Sequence, residues 1–573
     1  MYFGLFAAIV GLVGLALIWI IVTGLVARSR LESAQYDVRD LKKAAASGDL
    51  AKVQQLSSRI ADRSASAHNL TSGPAWWVGA NLPLVGTPLH TSRVIARQAN
   101  RIARTAPPLV TSLRRLTSGH RASSGIDLAA ARQALARLAV TGRAVDDAQR
   151  AVRATPGSWL PLVSTPRNRV SDQLTSLTPA LDQAERATGA VLPMLGDKAP
   201  QRYFVGFMNE AEARGLGGLP GAYAILTVDR GKVKFSRFGN DSDFRKVRSG
   251  IDLGPEYAAR YGQDDPENYF VNSDVSPNFP DAARILAGMW RAKTGQTIDG
   301  AVVIDPTALR YLLDVTGPAV LPNGSTVAGN EVVGLTEKDQ YSKYAKDADR
   351  NAYLNRISAA VAAKLVKSGG AHPVRFLAAL HRGVSERRLA LWSADPAIER
   401  RLVEAGYAAD LRNSDAFTGF TVVNAAGSKL DFYLRRSMTY RRAQCTPGST
   451  AVATMTLTND APSSGLPPYV TFRADDRAAT AKPGDNRLLV TYYASSGATV
   501  TSVQVDGRPV ATSSGVEQGL PATTIDLELP VQQSRTVTVT LTEPVPQSSL
   551  TVLRQPLVKP LTTRISTACD ASR

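Results

Sequence analysis

The feature that most constrains the fold is an alternation of strand and helix patterns between residues 202 and 317. The strand-like runs, rich in aromatic and β-branched residues, are residues 202–208, 222–228 and 232–238. Residues 280–294 then place apolar side chains at helical spacing. Asp305 precedes a further helical pattern and is placed to act as its N-cap. Strands that alternate with helices predict a layered α/β core.

The chain begins with a long apolar segment, residues 2–27, which contains no charged residue. Its length exceeds the ~20 residues that a membrane-spanning helix needs. It lacks the basic start and small-residue cleavage site of a signal peptide. We therefore expect a transmembrane anchor and a single-pass protein of the plasma membrane. Basic residues follow the segment, and the positive-inside rule taken literally would keep the bulk of the chain in the cytoplasm. Long domains translocate largely regardless of flanking charge, and a pair of cysteines is typical of an oxidising compartment, so we expect the bulk of the chain to be extracytoplasmic.

Changes in residue pattern along the sequence divide the 573 residues into four parts. The predicted parts are a transmembrane anchor (1–27), an all-helical stalk (28–196), an α/β core (197–440) and a C-terminal β-sandwich (441–573). The stalk is predicted from apolar residues at helical spacing in Ala- and Arg-rich segments. The sandwich is predicted from short alternating strands divided by Gly, Pro, Asp and Ser turns.

The charge balance favours an anionic partner. Lys and Arg total 67 against 49 Asp and Glu, which gives a formal net charge of +18. Such an excess attracts lipid headgroups, phosphorylated carriers or acidic glycans. The alternative is a basic surface without a dedicated partner. No basic run is interleaved with stacking aromatic residues, so we expect no nucleic acid.

Two cysteines, Cys445 and Cys569, lie in the last quarter of the chain. They are able to form one disulfide, which is typical of an oxidising compartment. The alternative is two unpaired thiols. The five histidines have no metal-ligand spacing.

A glycine-rich segment, residues 215–221, separates the first two strand patterns. Pro220 stands where the last glycine of a dinucleotide-binding G-x-G-x-x-G motif belongs, and the segment leads into a strand. Backbone amides here are able to form an anion-binding nest, while the alternative is a tight turn without a ligand.

Polar residues follow the third strand pattern in the order Asn240, Asp241, Ser242, Asp243. Two carboxylates and an amide at a strand end are suited to hold a divalent cation such as Mg²⁺. Neighbouring arginines are suited to grip a pyrophosphate. The alternative is that these residues are solvated caps and turns.

Several longer motifs resemble known families. The first resemblance is carried by the segments GPAWWVGANLPLVGTP, RYFVGFMNEAEARGLGGLPGAYAILTVDRGKV, VNSDVSPNFPDAARIL, DGAVVIDPTALRYLLDVTGP, NAAGSKLDFYLRR and SGLPPYVTFR. Together they resemble the domain-of-unknown-function 4012 family, and this resemblance covers nearly the whole chain. The order of AYAILTVDRGKVKFSRFGNDSDF and the downstream segments to DADRNAYLNRISAAVAAKLV also resembles the LytR-CpsA-Psr catalytic domain. Members of that family transfer glycopolymers from polyprenyl-pyrophosphate carriers to peptidoglycan.

The LytR-CpsA-Psr resemblance implies a set of site residues. Asp241 falls on a magnesium-binding acid, and Arg350 and Arg356 fall on a late arginine pair, so these three are the predicted catalytic residues. The predicted ligand-binding residues are Arg214, Arg237, Asn240 and Asn272, and the predicted Mg²⁺ ligands are Asp241 and Asp243. Asn240 departs from the family, because an arginine of its Pro-Arg-Asp element belongs there. Gly-Leu-Pro-Gly also replaces the stretch that supplies a second acid.

These resemblances lead to two functional hypotheses. As an enzyme, the chain transfers a polysaccharide from a polyprenyl-pyrophosphate carrier during envelope assembly, with Mg²⁺ at Asp241. As a non-enzyme, it is an envelope scaffold or a glycan-binding adhesion protein. In both, the expected partners are the plasma membrane and either a carrier-linked glycan or another anionic envelope polymer.

Overall fold

The computed structural model describes residues 2–83, 86–118, 125–368, 372–412, 414–544 and 550–567, without the side chains of residues 2–14 and of Pro373. The chain forms two compact units. The helical unit holds residues 1–197 with 230–232 and 370–375, and the mixed unit holds the remainder.

The helical unit consists of seven long or short helices in its described residues. These are α1 (Tyr2–Ser47), α2 (Leu50–Thr71), α3 (Pro74–Ala80), α4 (Gly86–Ala103), α5 (Ala106–Ser118), α6 (Leu128–Arg153) and α7 (Pro161–Val191). Asp49 and Asp127 cap α2 and α6, because each carboxylate accepts a hydrogen bond from a backbone amide of the first turn. Small side chains such as Ala67 and Ala148 are fully buried and let the helices approach closely.

The predicted transmembrane helix is wrong. Within the residues whose side chains are described, no helix is both long enough and apolar enough to cross a bilayer. From residue 15 the apolar part of α1 runs only to Ala27, and the helix continues through Arg28, Arg30 and Glu32. That length falls short of the ~20 apolar residues a membrane crossing needs. The start of the predicted anchor, residues 1–14, lies outside the described side chains, and the single-pass plasma-membrane location is corrected with the helix.

The mixed unit begins with a five-stranded sheet in the order β3-β2-β1-β4-β7. Its strands are β1 (Gln201–Arg214), β2 (Gly217–Asp229), β3 (Lys232–Asn240), β4 (Gly300–Ile304) and β7 (Leu389–Ser393), and a separate pair is formed by β5 (Ala319–Val320) and β6 (Thr326–Val327). β1 is antiparallel to β2 and parallel to β4, with Tyr203 opposite Gly300 and Phe207 opposite Ile304. β3 and β7 are therefore the two edges of this sheet.

Helices cover both faces of this sheet. They are α8 (Pro255–Tyr261), α9 (Phe279–Thr294), α10 (Pro306–Thr316), α11 (Gly329–Gly334), α12 (Gln340–Lys343), α13 (Asp347–Ser368), α14 (Pro373–Ser385) and α15 (Pro396–Ala405). Successive strand residues face opposite sides, so Phe204 packs in a core with α9 while Val205 packs in a core with α10 and α13. The predicted N-cap is confirmed, because Asp305 Oδ1 accepts from the amide of Ala308 at 2.7 Å.

Two further sheets pack face to face. The six-stranded sheet has the order β13-β12-β16-β10-β9-β18, and the five-stranded sheet has the order β14-β15-β11-β8-β17. The strands are β8 (Phe417–Asn424), β9 (Leu434–Arg442), β10 (Ser449–Asn459), β11 (Asn486–Ala494), β12 (Thr499–Val505), β13 (Arg508–Pro509), β14 (Ser513–Glu517), β15 (Leu520–Leu529), β16 (Ser534–Glu543), β17 (Thr551–Arg554) and β18 (Thr562–Thr567), and α16 (Pro468–Thr471) lies in the β10–β11 connection. Residues from both sheets form one apolar core that includes Phe420 and Leu457.

Cys445 is disulfide-bonded. The chain's other cysteine, Cys569, lies outside the described residues. The described chain as a whole is mixed helix and sheet, without the N-terminal transmembrane helix of the predicted fold class.

Candidate functional site

The β1–β2 hairpin extends beyond the sheet and carries charged residues into the interior. β1 pairs with β4 as far as Phe207 and then continues beside β2 to Arg214, with an irregular register between Asn209 and Ala213. Glu210, Glu212 and Arg214 lie on this extension, and all three are buried. Buried charges are costly unless they are paired, so their partners define what the hairpin holds together.

Glu210 belongs to a buried cluster with Asp305 and Arg388. Arg388 NH1 donates to Glu210 Oε1 at 3.0 Å and to Asp305 Oδ2 at 2.8 Å, and its NH2 donates to the carbonyl of Leu557 at 3.0 Å. Burial, reinforced by the neighbouring charge of Asp305, raises the pKa of Glu210 well above its ordinary value. The cluster thus joins the end of β1 to the start of α10 and to the segment between β17 and β18.

Glu337 adds a third acid beside this cluster. It lies in a π-helical turn, Leu335–Asp339, and its Oε2 accepts from the amide of Ala211 at 2.7 Å. Burial is the main cause that raises the pKa of Glu337 to about 8. At neutral pH this group therefore holds a proton.

Glu212 lies between two cations. Arg214 NH2 donates to Glu212 Oε1 at 2.9 Å, and Lys429 Nζ donates to Glu212 Oε2. Burial by itself would raise the pKa of Glu212, but Lys429 and then Arg214 outweigh it and the pKa is lowered. Arg214 also donates from NH2 to Asn272 Oδ1 at 3.1 Å and from NH1 to the carbonyl of Ala213 at 2.9 Å. Its donors are therefore occupied within the fold.

Asp274 is a buried carboxylate near Arg214. Its side chain is 1% exposed, and neither carboxylate oxygen accepts a hydrogen bond from another described residue. Burial raises the pKa of Asp274 well above its ordinary value, with Arg214 acting in the opposite direction. The proton that Asp274 keeps is the means by which this acid tolerates its apolar surroundings.

Asp241 lies in a different setting, which we call the Asp241 cluster: Asp241, Asp347, Arg350, Lys429 and Tyr469. Burial is the main cause that raises the pKa of Asp241, while Lys429 lowers it and Asp347 raises it further. These two charges are therefore within electrostatic range of the Asp241 carboxylate. Among the described residues Asp241 forms no ion pair, and a hydrogen bond from the backbone of Ser242 and the charge of Arg245 also lower its pKa.

The guanidinium of Arg350 donates its hydrogen bonds to other groups of the protein. Its NH1 donates to the carbonyls of Tyr344 and Ala345 at 2.8 and 2.9 Å, and its NH2 donates to Asp347. The guanidinium carbon lies 3.8 Å from the centre of the Tyr469 ring, a cation–π contact. Tyr469 also stacks on Tyr341 at 5.6 Å and is 40% exposed. The arginine therefore braces an accessible aromatic ring.

The remaining predicted site residues do not join the Asp241 cluster. Asn240 accepts from the amide of Ser242 at 3.0 Å and caps a short 3-10 turn, Asp241–Phe244. Arg237 lies over the Trp290 ring at 5.4 Å. Arg356 is exposed on α13. Of the eight predicted residues, the structure bonds Arg214 to Asn272, and it links Asp241 with Arg350 only through Asp347.

The two residues expected to bind Mg²⁺, Asp241 and Asp243, have different surroundings. Asp243 Oδ2 accepts from the Tyr223 hydroxyl at 2.8 Å, whereas Asp241 faces Lys429 and Asp347. Over the described ranges, no group of three or more His, Cys, Asp or Glu side chains is placed to hold a metal ion. Mg²⁺ is usually held by one or two carboxylates together with waters and substrate phosphates, so the Mg²⁺ site stays a prediction, and no step proposed below uses a metal.

A small cavity lies at the carboxyl end of β4. Its lining includes Gly217, Asp305, Arg387 and Arg388. Arg387 donates its NH2 to the carbonyls of Pro277 and Ala409 at 2.7 and 2.8 Å, so it is also occupied. The cavity has room for about one water molecule and does not accommodate a pyrophosphate.

Sequence reasoning missed Glu210, Glu212, Lys429 and Tyr469. One signal was present for the first two, because NEAEAR alternates charged residues with alanine at the period of a strand. That alternation indicates that β1 continues with one charged face. No local signal marks Lys429 or Tyr469, since both depend on contacts with residues more than 100 positions away.

Comparison with known proteins gives limited information. No curated protein matches the chain. One solved structure that it resembles is the transcriptional regulator yvhJ from Bacillus subtilis, with 11% identity, a TM-score of 0.19, and coverage of 36% of this chain and 76% of that one. A score this low carries no argument. The LytR-CpsA-Psr resemblance is not shown, and the expected whole-chain family resemblance is narrowed: residues 198–341 match the family described as Protein of unknown function (DUF4012).

Proposed function

We propose that this protein binds an envelope polysaccharide without catalysing its transfer, and so assists the assembly or attachment of that polymer. The observation that supports this proposal is that some groups of the Asp241 cluster are hydrogen-bonded within the protein whereas others are accessible. Arg350 donates from NH1 and NH2 to internal partners, while the Tyr469 ring that lies on it is exposed and the Asp241 carboxylate lies within electrostatic range of Asp347 and Lys429.

A cluster that contains both a carboxylate and an exposed aromatic ring suits a sugar. Sugar hydroxyls donate short, charge-assisted hydrogen bonds to a carboxylate. Binding sites for small polar ligands combine a few placed polar groups with apolar and aromatic surface. Tyr469 is held by Arg350 and Tyr341, so little side-chain entropy is lost when a ligand contacts the ring.

The same contacts argue against transfer as the first choice. Phosphoryl transfer depends on cationic donors aimed at the charge that develops in the transition state. The donors of Arg214 and Arg350 already point at Glu212, Asn272, Asp347 and backbone carbonyls. Redirecting them would leave buried partners unsatisfied, which costs free energy.

Phosphotransfer from a polyprenyl-pyrophosphate carrier is the second candidate. It follows from the LytR-CpsA-Psr resemblance and from extending the DUF4012 likeness to the whole chain. Two exposed arginines favour it: Arg356 on α13 and Arg245, which lies close enough to Asp241 to lower its pKa. Release of product from a labelled lipid carrier, abolished by Asp241→Asn, would support transfer over binding alone.

The test of the binding proposal is titration with polysaccharide extracted from the cell envelope of the source organism. We expect the wild-type protein to bind it, and we expect Tyr469→Ala and Asp241→Asn each to weaken binding by about tenfold or more, a loss of ~1.4 kcal/mol. The matched control is Tyr36→Ala, which removes an exposed tyrosine from α1 of the helical unit. Equal binding by wild type and both cluster variants would contradict the proposal.

A further inference from the structure

Four cations surround one aromatic core at the β3 edge of the first sheet. They are Arg237 on β3, Lys293 on α9, and Arg245 and Lys246 in the loop after the 3-10 turn. We call this set the basic strip. Arg237, Arg245 and Lys246 are exposed, and Lys293 is half-buried.

Contacts with the aromatic core bring two of these cations together, and the other two follow a core residue in the chain. The guanidinium of Arg237 lies 5.4 Å from the Trp290 ring, and Lys293 Nζ lies 5.4 Å from the Phe244 ring. Trp290 and Phe244 both pack against Tyr223, with ring centres 6.1 and 5.2 Å away. Arg245 and Lys246 follow Phe244 directly in the chain.

No member of the basic strip forms a direct ion pair among the described residues, and Lys293 donates instead to the backbone carbonyl of Asp243. Asp241 nevertheless lies within electrostatic range of Arg245, and the Tyr223 hydroxyl links Asp243 with Arg237. The same unit pairs its arginines elsewhere. On the five-stranded sandwich sheet, Arg473 pairs with Glu528 at 2.9 Å and Arg487 with Asp526 at 2.8 Å. Unpaired cations gathered in one place produce a positive potential that attracts an anionic partner.

From this arrangement we infer that the basic strip binds the acidic groups of a polysaccharide, so that the polymer recognised by this protein is anionic. The strip adjoins the Asp241 cluster, because Arg245 lies within electrostatic range of Asp241. A single chain is thus able to place a sugar on Tyr469 and its charged substituents on the strip. The inference rests on the proposed binding function for the identity of the polymer.

The aromatic residues beneath the basic strip favour a polysaccharide over single-stranded nucleic acid as its ligand. Proteins that hold single strands stack the bases on accessible aromatic side chains. Trp290 and Phe244 are 2% and 1% exposed, so they support the cations from beneath and are not accessible to bases.

The test compares dextran sulfate with dextran, two polymers that share a backbone and differ in charge. We expect the wild-type protein to bind dextran sulfate far more tightly than dextran, and this preference to fall as salt is added, because exposed charges are screened. The double variant Arg245→Glu/Lys246→Glu is expected to weaken binding to dextran sulfate by about tenfold or more.

The matched control is Arg400→Glu/Arg401→Glu. These two exposed arginines lie on α15, which packs against β7 at the opposite edge of the sheet, and the variant changes the net charge by the same amount. The control is expected to bind dextran sulfate as the wild type does. Circular dichroism and the unfolding midpoint establish that both variants are folded.

The outcomes separate this inference from the proposed function. The inference about the basic strip is overturned if dextran and dextran sulfate bind equally well. It is also overturned if the strip variant and the control variant lose the same affinity for dextran sulfate. Binding to dextran sulfate through the strip without binding to envelope polysaccharide overturns the proposed function and leaves the strip. Binding of oligo-dT that is as tight as dextran sulfate and equally lost in the strip variant assigns the surface to nucleic acid, which also overturns the inference.

Discussion

Replacing Glu337 with Gln is expected to change how the stability of the mixed unit depends on pH. Glu337 is 2% exposed, and burial is the main cause that raises its pKa from an ordinary value of 4.5 to about 8. Between these two values the native protein holds a proton that the unfolded chain has released. The contribution of Glu337 to the free energy of unfolding is therefore fully present below pH 4.5, and it is lost as the pH rises through the folded-state pKa.

The size of the effect follows from the two pKa values. Each pH unit inside this window costs the native state ~1.4 kcal/mol. Between pH 5 and pH 7 the expected loss from Glu337 alone is about 2.5 kcal/mol, after allowance for partial ionisation of the unfolded chain at pH 5. Gln cannot ionise, so Glu337→Gln is expected to lose that much less stability over the same range.

The measurement is urea unfolding followed by tryptophan fluorescence, in which Trp290 reports on the core of the mixed unit. Wild type, Glu337→Gln and the control Glu404→Gln are compared at pH 5, 6 and 7. Glu404 is exposed on α15, so its replacement should leave the pH dependence of the wild type unchanged. Parallel curves for wild type and Glu337→Gln would refute the reasoning, because they would mean that Glu337 releases its proton equally in both states.

Three further substitutions are expected to change the stability of the protein. Arg388→Met leaves Glu210 and Asp305 without their shared cation and is expected to destabilise the protein by about 3–5 kcal/mol in urea unfolding, whereas Arg412→Met, which breaks a surface pair, should cost less than ~1 kcal/mol. Gly218→Ala places a Cβ 2.2 Å from the Asn209 carbonyl and should cost ~3 kcal/mol or more in thermal unfolding, whereas Gly262→Ala meets nothing within 4 Å and should be near neutral. Asp274→Asn is expected to raise stability more at pH 7 than at pH 4, because burial raises the pKa of Asp274; an equal change at both pH values would contradict this.

Local patterns predicted the elements of the first sheet well. The strand predicted at residues 232–238 is observed as Lys232–Asn240, and the helix predicted at residues 280–294 is observed as Phe279–Thr294. Asp305 caps α10 as predicted. Each of these features depends on interactions within a few residues, such as an amide bonded to a capping carboxylate, and such interactions can be recognised in a short stretch of sequence.

The prediction of β1 stopped at Met208 because the residues that follow are charged. Observed β1 continues to Arg214, and its acids are buried against Arg388 and Lys429, which lie 178 and 217 positions away from their partners. The glycine segment was expected to be a turn, yet from Gly217 onward it is part of β2. Gly218 lies so close to the backbone of Asn209 that a side chain would not fit there. Such long-range pairing is not encoded in any local pattern.

The candidate site shows a second limit of prediction from a single sequence. A single sequence identifies an arginine but does not tell whether its donors are occupied, and Arg350 was predicted as catalytic from its position in a resemblance. Its bonds to Tyr344, Ala345 and Asp347 are local, but the Tyr469 ring that lies on it comes from the connection between β10 and β11.

The hydrogen bonds of Arg350 bear on both candidate functions. Phosphoryl transfer would need its NH1 and NH2 donors to face a pyrophosphate, and these donors are bonded to Tyr344, Ala345 and Asp347. Binding of a sugar would need a fixed and accessible ring, and Tyr469 is 40% exposed while it lies on Arg350 and stacks on Tyr341. The Tyr469→Ala variant, which removes the ring without replacing any donor of Arg350, therefore separates the two proposals.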